Sequence, residues 1–194
     1  MIYPGTYDII VTQNSTWKEV FRLSDSTRRV TLDAATATFT SNCHKLVENN
    51  KVYFTPLDSS GTLPCGIEAA SVYYVISAGL TNDAFKVSAS LGGTSVAPHG
   101  VVTASFSCSK PLNLVGFVVD AGITDMFSNE TVQNITTALP NASNGLVELS
   151  LTPASTLGLI EGTYTYDSSL TSPSGERYYW ISGSVTVQKT FSRN

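Results

Sequence analysis

The chain has 194 residues, of which 42% are hydrophobic and 13% are charged, and its formal net charge is −4. Ordinary domains carry about 25% charged residues, so this low share excludes a charge-driven disordered tail and is typical of surfaces that pack against other subunits. The negative balance gives no electrostatic footprint for nucleic acid or for an anionic membrane, and we expect neither as a partner.

No apolar run approaches the roughly twenty residues of a transmembrane helix, so none is predicted. Residues 1–5 lack the basic segment and apolar region of a secretory signal. The three cysteines, Cys43, Cys65 and Cys108, form an odd set without CxxC spacing. We therefore expect free thiols in a protein made in a reducing cytosol.

β-branched and aromatic residues predict strands in the first part of the chain, over residues 6–13 and 17–23. The apolar phase changes between Val20 and Phe21, which predicts a bulge or a twist in the second strand. Residues 24–26, Ser-Asp-Ser, break the pattern and predict a turn.

From about residue 27 the composition changes to β-rich runs separated by glycine and proline. These runs predict strands over residues 29–42, 51–55, 71–77, 84–88 and 101–108. His44 is expected to begin a strand of this module. After Pro111 the first pattern returns with a strand predicted over residues 116–121, and the Asn- and Thr-rich residues 128–144 are interpreted as a loop.

Residues 145–191 predict a strand, one helical turn, a second strand, a hairpin and a last strand, together forming the closing sheet of a sandwich. Thr152 is the expected N-cap of the helical turn, with Pro153 at its first position and Gly162 ending the element. Ser-Pro-Ser-Gly at residues 172–175 predicts a β-turn.

Helical periodicity is nearly absent and turn signals are frequent, so the chain is predicted to be all-β. We expect a small β-sandwich with a second all-β module inserted in an early inter-strand turn. The sandwich is assigned to residues 1–26 and 110–194, as a docking domain, and the inserted module to residues 27–109. An insert whose ends are adjacent adds little loop-closure cost.

The predicted sandwich contains five different short motifs. They are Thr-Trp at residues 16–17, Pro-Leu-Asn-Leu-Val-Gly at 111–116, Leu-Ser at 149–150, Gly-Thr-Tyr-Thr-Tyr-Asp at 162–167 and Gly-Ser-Val-Thr-Val at 183–187. This pattern resembles a small β-sandwich family from the structural gene clusters of tailed bacteriophages. The chain departs from that family in having Asn113 for Asp, Val115 for Thr and Ser168 for Leu.

A denser pattern lies in the predicted module. It consists of His44, Leu46, Val-Tyr-Phe-Thr at residues 52–55, Gly-Thr-Leu-Pro-Cys-Gly-Ile at 61–67, Tyr-Tyr-Val at 73–75, Gly-Leu-Thr at 79–81, Phe-Lys-Val-Ser at 85–88 and Gly-Gly at 92–93. It resembles a small β-module that recurs in phage tail and virion proteins. Together the two resemblances imply a module inserted between neighbouring strands of a phage sandwich.

Reactive side chains show no catalytic spacing. His44 and His99 have no pattern of metal ligands around them, and Cys43 and His44, as neighbours on a strand, would point to opposite faces. No acid–base pair of the glycosidase kind is identifiable among the carboxylates, which include Asp120, Asp125, Glu130, Glu148 and Glu161. We predict no catalytic, cofactor or metal site, and no enzymatic activity.

The resemblance implies a virion structural protein, assembled in the host cytoplasm, of the tail, baseplate or neck. It would dock in several symmetric copies on portal, neck, tail or baseplate subunits, and the module would project outward. Aromatic residues are the expected contacts of the docking domain, namely Tyr3, Tyr7, Tyr178, Tyr179 and Trp180. A sugar platform is the alternative for the cluster at residues 178–180. The alternatives are a carbohydrate-binding module that holds a host glycan near Tyr73 and Tyr74, and a capsid decoration protein.

Overall fold

The computed structural model describes residues 5–57, 61–69, 71–99 and 106–190. The first nine strands are β1 (Gly5–Thr6), β2 (Ile9–Thr12), β3 (Trp17–Arg22), β4 (Ser24–Asp33), β5 (Thr38–Thr40), β6 (Lys51–Pro56), β7 (Tyr73–Ile76), β8 (Ala84–Ser88) and β9 (Phe106–Pro111). There follow β10 (Val118–Thr124), β11 (Thr131–Asn134), β12 (Thr136–Asn141), a 3₁₀ turn (Ala142–Asn144), β13 (Leu146–Leu151), α1 (Pro153–Leu157), β14 (Gly162–Thr171) and β15 (Arg177–Gln188). The prediction of an all-β fold is confirmed.

The chain divides into two compact units. One consists of Met1–Leu23 with Asn113–Asn194, and the other of Ser24–Leu112. The second unit thus begins three residues earlier and ends three residues later than the sequence predicts. The prediction of a turn at residues 24–26 is wrong. β4 begins at Ser24, which pairs with Pro111 at the end of β9.

The first unit is a sandwich of two sheets. The larger sheet has the order β1-β15-β14-β10-β11, with β2 also paired to β15, and the smaller sheet has the order β12-β13-β3. Both β1 and β2 run parallel to β15, whereas the other pairs are antiparallel. Of the bulge or twist predicted in β3, the bulge is absent, since β3 pairs with β13 without a register shift from Trp17 to Arg22.

The segment predicted to be a loop carries the chain from one sheet to the other. Residues 128–144 contain β11, which pairs with β10, and β12, which pairs with β13. Between these strands the Ile135 amide donates to the Ala121 carbonyl at 3.0 Å. The Thr137 hydroxyl donates to the Val119 carbonyl at 2.8 Å. β11 and β12 are edge strands of their sheets, and most of their residues are exposed, which accounts for the many Asn and Thr side chains.

The core of the sandwich is built from strands with alternating burial, as β13 shows with Val147, Leu149 and Leu151 inward. The apolar residues buried in this unit are Ile9, Val11, Leu114, Val119, Ile123, Ile135, Val147, Leu149, Leu151, Leu159, Tyr164, Tyr166, Leu170, Trp180, Ile181, Val185 and Val187. Contrary to expectation, β13 does not share a sheet with β14 and β15. The chain passes between the two sheets through α1.

The ends of α1 are set by local hydrogen bonds. Thr152 Oγ1 accepts from the Ser155 amide at 3.2 Å and Pro153 occupies the first turn, which confirms the predicted N-cap. The C-cap is Gly158, and Gly162 instead opens β14. The Gly175 amide donates to the Ser172 carbonyl at 2.9 Å, so the turn predicted over residues 172–175 is also confirmed.

The second unit is a closed barrel in the order β4-β5-β8-β7-β6-β9. Its core contains stacked rings, with the Phe39 centroid 4.7 Å from that of Phe54 and 5.5 Å from that of Phe85. The largest cluster of buried apolar residues in this unit consists of Val30, Phe39, Val52, Phe54, Ile67, Tyr73, Val75, Phe85, Val87, Phe106 and Cys108. Closure leaves every barrel strand paired on both sides, which removes exposed strand edges.

Two predictions for the barrel are wrong. The run over residues 29–42 is two strands, because the Asp33 carboxylate accepts hydrogen bonds from the Ala35 amide and the Thr36 hydroxyl and closes a hairpin turn. His44 lies outside the strands and is buried. Its Nδ1 accepts from the Leu46 amide, which leaves Nε2 as the donor to the Ala84 carbonyl.

Candidate functional site

Of the five residues predicted to contact a partner, Tyr3 lies outside the described residues. Tyr7 is 39% exposed, and its ring packs edge-to-face on Phe21 with the centroids 5.2 Å apart. Its hydroxyl donates to Glu19 Oε1 at 3.2 Å. Desolvation raises the pKa of Tyr7, and the Glu19 carboxylate adds to that shift. Tyr7 is therefore a surface residue held in a defined position.

Trp180 is not a surface contact, and that prediction is wrong. The register between β14 and β15 shifts so that Ser169 faces Tyr179 while Ser168 faces Ile181. The extra residue turns both Trp180 and Ile181 into the core, where they are 3% and 5% exposed. Strict alternation from Tyr179 could not anticipate a bulge, because its position depends on the partner strand.

The two tyrosines before Trp180 remain accessible. Tyr179 is 52% exposed, and the Arg177 guanidinium carbon lies 5.4 Å from its ring centroid. Tyr178 is 36% exposed, and its hydroxyl donates to Glu176 Oε2 at 2.6 Å. This hydrogen bond raises the pKa of Tyr178 above its ordinary value. The aromatic run thus supplies two surface residues and one core residue.

The ligand site expected on the inserted module is not formed as predicted. Tyr73 is 4% exposed and packs against Phe54, with the ring centroids 5.8 Å apart. Its hydroxyl accepts a hydrogen bond from the Glu68 amide at 2.9 Å. Tyr74 follows on the opposite face of β7 and is half-buried. Tyr73 is therefore a barrel core residue, and the pair offers no continuous aromatic surface.

The hairpin between β10 and β11 presents an apolar tip that the sequence predictions missed. Phe127 is 98% exposed and Met126 is 56% exposed. Asp125 Oδ1 accepts from the amides of Phe127 and Ser128 at 2.9 and 2.8 Å. The Asp125 amide donates to the Glu130 carbonyl at 3.0 Å. An aspartate followed by serine and asparagine is a recognisable signal for such a turn. We call residues 125–130 the apolar hairpin.

A polar cleft of about 460 Å³ lies on the larger sheet, on residues of β10, β11 and β14 among others. Asp120, Gly122, Asn134, Asp167 and Arg177 are among the residues that line it. In the sheet register, Gly122 faces Asp167 on one side and Asn134 on the other. The sequence predictions named Asp120 and Asp167 separately but gave no reason to bring them together. We call this site the sheet cleft.

The reactive residues considered from the sequence are dispersed. Cys43 is exposed whereas His44 is buried. A different pair meets in the barrel unit, because Cys65 and His99 exchange two backbone hydrogen bonds of 3.0 Å. Throughout the described ranges, no group of three or more His, Cys, Asp and Glu residues is placed to hold a metal ion.

Cys108 lies in the barrel core and is 5% exposed. Burial raises the pKa of its thiol to about 12, although the nearby Arg28 guanidinium acts in the opposite direction. At neutral pH this cysteine is therefore a protonated, apolar packing group.

Comparison with models of known protein families gave no match for this chain, and no curated protein showed significant sequence similarity. Within the part of the chain that the structure describes, no helix has the length and hydrophobicity needed to cross a bilayer.

Proposed function

We propose that this chain is a non-enzymatic structural protein of a tailed-phage particle, located in the virion at the tail, baseplate or neck. The sandwich is the docking domain, and the barrel is the part that projects from the particle. The observation that carries the proposal is the apolar hairpin, whose Phe127 side chain is 98% exposed.

Contact between an exposed phenylalanine and water is unfavourable in free energy, and burial of the ring at an interface removes that contact. Burying such a side chain completely contributes about 1.5–3 kcal/mol. Met126, the preceding residue, is also exposed, and exposed apolar surface of this kind is typical of an interaction site. The Asp125 hydrogen bonds fix the turn before binding, so that docking loses less conformational entropy.

The two units differ in what they offer to a partner. The barrel strands form a closed ring, whereas the larger sandwich sheet ends at β11 and at β1 and β2, and the smaller sheet ends at β12 and β3. Open edges present unpaired amides and carbonyls, to which a strand of another subunit can add. This difference supports docking through the sandwich.

The phage context comes from the sequence resemblance of the two units. It supports partners among the portal, neck, tail or baseplate subunits and assembly in the host cytoplasm. A capsid decoration protein is the second structural candidate, and it differs in the part of the particle to which the chain attaches.

The test is incorporation into particles produced by a phage whose copy of this gene has been replaced. We expect the unmodified chain in gradient-purified particles, and in tail fractions after capsids and tails are separated. Phe127→Ser should reduce its amount at least fivefold, whereas Leu91→Ser, at a 64% exposed leucine of the barrel, should not. Recovery with capsids alone would favour decoration. Absence from particles would overturn the structural proposal.

A further inference from the structure

We propose that the sheet cleft of the sandwich binds a neutral oligosaccharide. This inference goes beyond the docking role and is tested separately from it, because Asp120, Asp167 and Arg177, on which it rests, lie outside the apolar hairpin. It differs from the glycan site expected from the sequence, which was near Tyr73 and Tyr74 of the barrel.

The shape of the cleft follows from strand register. Asp120 and Gly122 lie on the same face of β10, opposite Ser169 and Asp167 of β14. Gly122 has no side chain to fill the space between these groups. A Cβ atom added there would lie 3.3 Å from Thr131 Cγ2 and 3.9 Å from the side-chain oxygen Oδ1 of Asn134. The glycine therefore keeps the floor of the cleft open.

The groups around this floor include acceptors and donors that the protein does not itself use. Both Asp120 and Asp167 are exposed, and neither carboxylate makes a hydrogen bond or ion pair with another described residue. Arg177 Nε donates to Ser169 Oγ at 2.8 Å. That bond fixes the guanidinium at the cleft, and no carboxylate among the described residues forms an ion pair with it. Carboxylate oxygens and guanidinium N–H groups thus face one open space.

This combination favours a ligand rich in hydroxyl groups. The two carboxylates repel a bound anion, and Arg177 offsets part of their attraction for a cation. Sugar hydroxyls both donate and accept, so that neighbouring hydroxyls pair with a carboxylate and with a guanidinium at once. The volume of about 460 Å³ lies within the range of small-ligand sites.

An aromatic ring extends the site on one side. Tyr179 lies two residues from Arg177 on β15 and is 52% exposed, and the guanidinium carbon lies 5.4 Å from its ring centroid. A sugar ring has an apolar face of C–H groups that packs on an aromatic ring. Tyr179 therefore offers a platform next to the hydrogen-bonding groups, as an amphipathic ring does at other recognition surfaces.

The test begins with the full chain, labelled and applied to an array of neutral and acidic bacterial and animal oligosaccharides. The best-bound neutral oligosaccharide is then titrated by calorimetry. We expect a dissociation constant of about 1 mM or tighter. Asp167→Asn, Asp120→Asn and Arg177→Gln should each weaken binding about tenfold, as expected for hydrogen bonds to charged groups.

The control is Thr163→Ala, an exposed position on β14 outside the cleft lining, which should bind like the unmodified chain. Thermal unfolding of each variant verifies that it is folded. The proposal is overturned if no neutral oligosaccharide binds at about 1 mM, if the three cleft variants bind as well as the control, or if only acidic glycans bind.

Discussion

Trp180 donates a hydrogen bond from its indole Nε1 to the Ser168 hydroxyl oxygen at 3.0 Å, inside the core of the sandwich. Ser168 is fully buried, and its hydroxyl donates in turn to the Asp120 carbonyl at 2.9 Å. The serine therefore has a physical reason, since a buried indole N–H needs an acceptor.

Replacing Ser168 by alanine should lower the free energy of unfolding by about 1–3 kcal/mol, because the Trp180 N–H would remain buried without a partner. Urea unfolding followed by tryptophan fluorescence measures the change. Trp180→Phe in the Ser168→Ala background should recover part of the loss. The exposed Ser182→Ala is the control, and an equal loss there would contradict this account.

Gly183 permits the N-terminal segment to pack on β15. A Cβ atom at this position would overlap the Tyr7 carbonyl oxygen and lie 3.1 Å from the Tyr166 ring. Because the obstructing atoms include backbone, Gly183→Ala should destabilise the sandwich by about 2 kcal/mol or more. Gly158→Ala is the control, because its Cβ would approach no atom closer than 3.9 Å. Its free energy of unfolding should stay within about 0.5 kcal/mol of that of the unmodified chain.

The three thiols should differ in reactivity. Cys43 and Cys65 are exposed, whereas Cys108 is buried with its pKa raised to about 12 by burial. At pH 8, a chromogenic disulfide reagent should modify two thiols rapidly and the third only in denaturant. Cys108→Ala should leave the fast phase unchanged. Rapid reaction of all three thiols in the native protein would show that the barrel core is not closed as described.

The apolar hairpin should make stability depend on pH in the acid range. Amide hydrogen bonds from Ser128 and Phe127 lower the pKa of Asp125 below 3.8. A carboxyl group with a lowered folded-state pKa contributes stability above its unfolded pKa, and that contribution is lost as pH falls through the folded value. Hydrogen bonds similarly lower the pKa of Asp8 and Asp33.

The free energy of unfolding should therefore fall below about pH 4, and the fall should be smaller in Asp125→Ala. Urea unfolding at pH 6 and pH 3 provides the measurement. Asp167→Ala serves as the control, because this exposed carboxylate makes no hydrogen bond with the described residues. If the two variants lose stability equally on acidification, the hairpin hydrogen bonds do not contribute in solution.

Local patterns in the sequence were sufficient for the fold class and for the cap at Thr152, because alternation and capping depend on residues within a few positions. They failed where the burial of a side chain depends on pairing with a strand that is distant in the sequence. Trp180 is buried by a bulge whose position is set by β14, and Tyr73 by closure of the barrel. The sheet cleft joins residues 120 and 167, which only sheet pairing brings together.

The central claim is that the sandwich docks this chain on a phage particle. The most direct measurement places a photo-activatable phenylalanine analogue at position 127 in assembled particles and identifies the cross-linked peptides. The account predicts a high-yield cross-link to one other structural subunit, and little or none when the analogue replaces Leu91. Particles that lack the chain, or that give equal cross-linking at the two positions, would contradict it.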